Sequence, residues 1–203
     1  FVDVYEILSN NKNQYIYYKT DHHWTTKGAY YAYRELSKYM DFEPYSEEDF
    51  DIKKVSNDFY GSLYSKGGFR KLAPDSIQLY IPKTDNRYKV KYYDEGETTE
   101  SLYNLDNLNK KDKYTVFLNG NHPLLKISTN VNNKKNLLVL KDSYANSFIP
   151  FLAEHFNEIY IVDLRYYNED LSSFMRDKDI SDLLLLYNVK SFCEDDSIEK
   201  ICW

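Results

Sequence analysis

Only two cysteines, Cys193 and Cys202, occur in 203 residues. They are too few for a disulfide framework and lack the Cys-x-x-Cys spacing of zinc and thiol redox motifs. Whether they bridge one another is open at this level. Arginine is scarce, at five residues against 21 lysines, and the formal net charge is −6. A phosphate backbone is held by basic residues gathered on one face, so nucleic acid is not an expected partner. No unbroken apolar run approaches the roughly 20 residues of a membrane-spanning helix. No internal repeat or low-complexity tract is present, and the chain starts at Phe1 without a methionine. Its Val2–Leu8 segment has a helix-like pattern and is not a charged and apolar leader. A trimmed chain, or the C-terminal part of a longer protein, is the expectation.

What is there describes a globular protein: 42% hydrophobic and 29% charged residues are too apolar for disorder. A chain of this length buries roughly 70% of its unfolded surface, a core that needs no staple. Tyrosine, asparagine and lysine are abundant in the manner of an AT-rich genome, which argues against assigning every tyrosine a role.

Hydrophobic periodicity gives the organisation. The aromatic run Gln14–Tyr18 is expected to form a strand. Thr25 and Thr26 are placed to cap a helix through Ala29, Ala32, Leu36 and Met40. Between them lies the polar turn Lys19–Trp24. From about 41 to 113, Gly61, Gly67, Gly68, Pro74, Pro82 and Gly96 punctuate short alternating runs such as Ile77–Ile81 and Tyr88–Tyr92, the pattern of an irregular insertion with a hairpin. Leu137–Leu140, Ile159–Val162 and Leu183–Leu186 are wholly apolar, separated by helical stretches near 144–156 and 171–176. This β-α-β-α-β alternation predicts an α/β fold. Its strands would be mainly parallel, buried on both faces of a three-layer α/β/α sheet, in one domain over residues 1–203. Ligands of such sheets bind beyond the carboxyl ends of the strands, which puts Ser143 and Asp163–Arg165 at the functional edge.

Two of only four histidines are adjacent, in Thr20-Asp21-His22-His23-Trp24. Serine attack on a carbonyl needs a neutral imidazole to take the proton and a carboxylate to fix its tautomer, and Asp21 and His23, two apart, can meet in a tight turn. Ser143 opens a strand-to-helix turn, where a helix N-terminus stabilises developing negative charge. Each has a plainer role available: Asp21 as a helix cap, the histidine pair as a solvated turn, Ser143 as an N-cap.

The stretch Thr20-Asp21-His22-His23-Trp24-Thr25-Thr26-Lys27-Gly28-Ala29-Tyr30 resembles the signature of the bacterial DHHW proteins. So do Leu140-Lys141-Asp142-Ser143-Tyr144-Ala145-Asn146-Ser147-Phe148, Phe117–Pro123 and Asp163–Tyr167, in the same order along most of the chain. That group is similar to the SGNH-hydrolase-like acetylation proteins of alginate and other exopolysaccharides, in which an Asp-x-His pair precedes the serine. The resemblance implies an SGNH-hydrolase-like fold, with Ser143 as nucleophile, His23 as base and Asp21 as its orienting carboxylate. Oxyanion donors would come from the Ser143 backbone and from Gly120 or Asn121. Lys141 stands where the SGNH pattern has glycine, which leaves the turn geometry open. The implied activity is O-acetyl transfer to a polysaccharide, or acetylester hydrolysis, through an acetyl-serine. It needs no cofactor and no metal. A membrane-bound acetyl-donor protein and an extracytoplasmic location are implied by the family alone.

Substrate-binding candidates are Arg165 and Tyr166 after a strand, Trp24, and Lys66 beside Gly67 and Gly68. Arg165 suits a polar or anionic sugar substituent, or a surface ion pair. Trp24 can present its ring to a sugar or pack on the following helix. Gly67-Gly68 suits a flap at the cleft and is too short for a phosphate loop. Two rival readings remain. Asp-His-His also occurs in metal-dependent DHH phosphoesterases, yet only His122 and His155 remain to furnish further ligands. A noncatalytic glycan-binding or scaffold module is the other.

Overall fold

A computed structural model of the chain describes residues 1–68 and 71–201. Cys202, and with it the question of a bridge to Cys193, lies outside the described residues. In chain order the elements are helices α1 (Tyr5–Asn10) and α2 (Thr26–Leu36), strand β1 (Phe50–Phe59), helix α3 (Ser62–Gly67), and strands β2 (Asp75–Pro82) and β3 (Tyr88–Tyr92). Strands β4 (Thr98–Thr99), β5 (Leu124–Thr129) and β6 (Asn136–Lys141) follow, then helix α4 (Ile149–Leu152) and strand β7 (Glu158–Val162). Helix α5 (Leu171–Asp177), strand β8 (Asp182–Leu186) and helix α6 (Val189–Glu194) complete the chain. They fall into two compact units, one of residues 1–85 and 103–119, the other of 86–102 and 120–203. No helix among the described residues is long and apolar enough to cross a membrane.

In the first unit β1 and β2 pair antiparallel, with Phe50 opposite Pro82 and Phe59 opposite Asp75. Thr25 caps helix α2: its backbone is extended and its side-chain oxygen accepts the Gly28 N–H at 3.3 Å. Ala29, Tyr30, Tyr33 and Leu36 bury its inner face. A Cβ on Gly28 would stand 2.3 Å from the Ile16 carbonyl oxygen, so only glycine lets the helix approach this closely. The aromatic run before it does not form a strand. Its backbone closes a loop instead, with a single bridge between Tyr17 and Trp24 and the Thr25 N–H donated to Ile16 O at 2.9 Å. Tyr18 of that loop packs with Phe59, Ile77, Leu79, Tyr114, Val116 and Phe117 in one buried cluster.

The second unit holds a six-stranded sheet in the order β4-β3-β5-β7-β6-β8. Pairs β3–β4, β3–β5 and β5–β7 are antiparallel, whereas β6–β7 and β6–β8 are parallel. The expected mainly parallel, SGNH-hydrolase-like three-layer sheet is therefore corrected to a mixed one with mostly antiparallel pairings, and the first unit has a small antiparallel sheet of its own. The physical reason is that a wholly apolar run reports burial on both faces and says nothing of strand direction. The stretch expected to be an irregular insertion supplies β3 and β4, a hairpin that pairs with β5 and makes half of the large sheet antiparallel. Strands β6 and β7 are buried along almost their whole length, while the edge strand β8 alternates half-buried and exposed positions. Leu124, Leu138, Leu140, Tyr160 and Val162 pack against Leu171 and Phe174 of α5.

Candidate active site

The first unit contributes the Asp-His-His turn. Asp75, buried at the start of β2, pins it from below: its carboxylate accepts from the Tyr15 hydroxyl (2.6 Å), the Lys19 N–H (3.0 Å), and the Thr20 N–H and hydroxyl (2.7 and 2.6 Å). The Thr20 oxygen in turn accepts the Gly61 N–H at 3.1 Å. Asp21 and His23 are each 95% buried. Asp21 Oδ1 accepts the His23 backbone N–H at 3.0 Å and lies 2.5 Å from His23 Nδ1, while Oδ2 accepts the Ser62 N–H at 2.7 Å. A carboxylate on Nδ1 holds that nitrogen's proton, which makes Nε2 the basic atom. Tyr114 stacks on the imidazole with ring centres 3.8 Å apart and planes within 7°. Burial pushes the Asp21 carboxyl upward, but hydrogen bonds from His22 and His23, the charge of His23 and the Ser62 N–H together hold it well below the usual carboxylate range. His22 is exposed, with Nδ1 2.7 Å from Ser62 Oγ.

Gly61 makes this fit possible. A Cβ there would stand 2.2 to 2.6 Å from the Asp21 side-chain atoms. Gly61, which the sequence marked only as a turn residue, and Ser62, Asp75 and Tyr114, which it did not mark, are the further residues of this site. Their signal is tertiary: they stand about 40 to 90 positions from the turn they serve.

The second unit contributes Ser143, half-buried at the start of a 3₁₀ turn, Ser143–Ser147, that directly follows β6. Asp142 caps the turn: Oδ1 accepts the Tyr144 N–H at 2.9 Å and Oδ2 the Asn188 N–H at 2.9 Å. Gly120 and Asn121 come to the same place. Lys141 Nζ donates to Asn121 Oδ1 at 2.7 Å and to Asn146 Oδ1 at 2.8 Å, and Asn146 Nδ2 donates to Gly120 O and Asn121 Oδ1 at 3.2 and 3.1 Å. The chain enters in a left-handed run, with φ of 54°, 57° and 97° at Leu118, Asn119 and Gly120. Two such non-glycine residues in succession are a local strain, of the kind that clusters at functional sites.

Arg165 forks onto Asp163, with Nε and Nη2 donating at 2.8 and 2.5 Å, and lies over the Tyr166 ring. Tyr166 is half-exposed and lines a groove with Tyr93, Asp94, Asn168 and Glu169. Trp24 is buried and Lys66 is exposed on α3. Among the described residues, two groups have donor atoms close enough to hold a metal ion: Asp21, His22 and His23, and Asp94, Glu95 and His122.

The sequence matches the DHHW protein family over residues 2–162. The chain belongs to that family. Among solved structures, a DHHW family protein from Eubacterium siraeum DSM 15702 is 28% identical with a TM-score of 0.85, over 98% of this chain and 67% of that one. Bacillus cereus PatB1 is 25% identical with a TM-score of 0.70, over 90% of this chain and 65% of its own. A PatB1 structure with a sulfonyl adduct aligns at 23% identity and a TM-score of 0.76, over 94% and 67%. The O-acetyltransferase domain of Pseudomonas putida AlgJ reaches 13% identity and a TM-score of 0.42, over 98% and 65%, too distant to bear on this DHHW chain. The chain thus spans about two thirds of the length of these proteins. No curated protein matches it.

Proposed function

We propose that this DHHW protein is an O-acetyltransferase acting on a polysaccharide through an acetyl-serine, with Ser143 as nucleophile, His23 as base and Asp21 as its orienting carboxylate. The observation that carries the reading is the buried Asp21–His23 pair, fixed on one side by the Ser62 N–H and on the other by the Tyr114 ring. A solvated turn or a helix cap needs none of this construction. In the first half-reaction Ser143 Oγ attacks the acetyl carbonyl while His23 Nε2 takes its proton. The tetrahedral oxyanion collapses as the donor's leaving oxygen receives that proton, leaving acetyl-Ser143. In the second, a sugar hydroxyl attacks the acetyl group and gives its proton to His23, which passes it to Ser143 Oγ as that oxygen leaves, so the free serine and the neutral imidazole are restored. Water in the sugar's place gives hydrolysis. Arg165, Tyr166 and Lys66 remain substrate-binding candidates, of which exposed Tyr166 and Arg165 are the best placed to meet a sugar, whereas the burial of Trp24 assigns its ring to packing. A membrane-bound acetyl donor and an extracytoplasmic location belong to the same proposal.

The test is intact-mass spectrometry after incubation with an activated acetyl ester, and separately with a sulfonyl fluoride, chelator being present throughout. One adduct that disappears in Ser143→Ala and His23→Ala supports the reading and sets aside a metal mechanism at Asp21, His22 and His23. An adduct indifferent to both substitutions overturns it. Turnover of the ester should also fall in acid as His23 gains a proton, since only the neutral imidazole can act as the base.

A further inference from the structure

Lys141 is an unexpected residue to find at the end of β6. The four residues before it are leucine and valine, its own side chain is wholly buried, and a buried ammonium loses most of its hydration. Asp163 Oδ2 stands 3.8 Å away and is already forked by Arg165, so ion pairing with Asp163 is at best a partial return. The nitrogen's hydrogen bonds go to two carboxamides, Asn121 and Asn146.

An ammonium is a donor with no lone pair, so each carboxamide must turn its oxygen toward it. For Asn146 this aims Nδ2 at Gly120 O and Asn121 Oδ1, and both bonds are present. For Asn121 the oxygen then accepts twice, from Lys141 and from Asn146. Its Nδ2 has no hydrogen-bond partner among the described residues, and the residue is exposed. The amide orientation, ambiguous in an isolated asparagine, is fixed here by a group that can only donate.

We infer that Lys141 is a positioning residue: it locks the Asn121 carboxamide with its oxygen inward and its Nδ2 protons outward, as a preset donor for the oxyanion formed at Ser143. This rests on the acetyl-serine reading and deepens it, since it chooses Asn121 Nδ2 as the side-chain donor and explains why lysine stands before Asp142-Ser143. The lock acts on charge that appears only in the tetrahedral intermediate, so its loss lowers kcat and leaves KM little changed.

The decisive variant is Asn121→Asp. A carboxylate keeps both hydrogen bonds, to Lys141 and Asn146, and presents an acceptor where a donor was needed. The expected result is a fall in kcat of about 100-fold or more, the cost of removing one oxyanion donor, with KM and thermal midpoint held. Lys141→Met should lower kcat in the same way, and Asn121→Ala should add little on top of it, because the two act as one unit. Should Lys141→Met not fold, Lys141→Met with Asp163→Asn removes the uncompensated carboxylate as well. Unchanged kcat in Asn121→Asp, or penalties of Lys141→Met and Asn121→Ala that multiply in full, overturns the inference. A readout that does not depend on catalysis is amide-proton exchange of the two side chains by NMR. The Asn146 Nδ2 protons should exchange slowly and the Asn121 ones fast, and Lys141→Met should erase the difference. Equal exchange in the parent protein overturns the lock even if Ser143→Ala abolishes turnover. Full turnover in Ser143→Ala, with the exchange difference intact, overturns the acetyl-serine reading and the oxyanion role alone, leaving the lock.

Discussion

Gly61 has no side chain, and the absence is what seats Asp21. Alanine there would drive its Cβ into the Asp21 carboxylate, and Asp21 would have to leave either the Ser62 N–H or His23 Nδ1. Gly61→Ala is therefore expected to cost about 1–3 kcal/mol in stability and to lower acetyl-ester kcat by about 100-fold. Denaturant midpoints and turnover of the purified variant check both. Tyr114 acts on the same histidine through its ring face, so Tyr114→Phe should keep activity near the parent's while Tyr114→Leu lowers kcat and lets the imidazole tilt. Acid adds a third handle. The Asp21 carboxyl is held below its ordinary value in the folded chain, so it contributes stability above about pH 4 that is lost as pH falls further and the unfolded carboxyl takes up a proton first. Asp21→Asn should flatten the acid limb of a stability profile, and an unchanged limb would assign it to other carboxylates.

At the scale of elements, the 18–24 turn is held by a strand that begins more than fifty residues later. Asp75 accepts four hydrogen bonds from that turn and from Tyr15. Asp75→Asn would set an amide donor against donors. About 1–3 kcal/mol of stability should go with it, since a buried donor left unpaired carries its full desolvation cost, and the urea midpoint reads this directly. The same dependence explains what the sequence could and could not show. The meeting of Asp21 with His23 in one turn, and the place of Ser143 just after a strand, were legible because histidine is rare and because both turns adjoin apolar or helical runs. Strand direction was not, because the apolar run Ile159–Val162 and the alternating run Tyr88–Tyr92 read alike whichever way they point, and direction is set by which neighbour each pairs with. Nor could the Gln14–Tyr18 run be told from a strand, since aromatic content gives burial and the Tyr17–Trp24 closure is a property of the loop.

Over the whole molecule, the buried members of the set of 22 tyrosines act together on the pH dependence of folding. Their abundance is compositional, but burial gives many of them one common property. Burial, aided by nearby acidic groups, pushes Tyr92 and Tyr167 up to about 12, and raises Tyr15, Tyr18, Tyr80, Tyr160 and Tyr187 as well. A phenol whose folded value exceeds its unfolded value of 10.0 keeps its proton in the native chain after the unfolded chain has lost it. The stability these groups contribute is thus complete below about pH 10 and drains away up to about pH 12. Lys141 works in the other direction: burial lowers it to about 8, with Asp163 opposing, so the unfolded chain binds the extra proton between about pH 8 and 10.5 and stability rises there. The urea midpoint should therefore hold or climb from pH 8 toward 10 and then fall steeply as tyrosinate absorbance appears. In Lys141→Met the climb should vanish while the fall remains. In Tyr80→Phe, which also gives up the hydrogen bond to Glu47, the fall should become shallower. A midpoint that declines smoothly from pH 8 in all three proteins would mean that neither the buried lysine nor the buried phenols govern the alkaline limb.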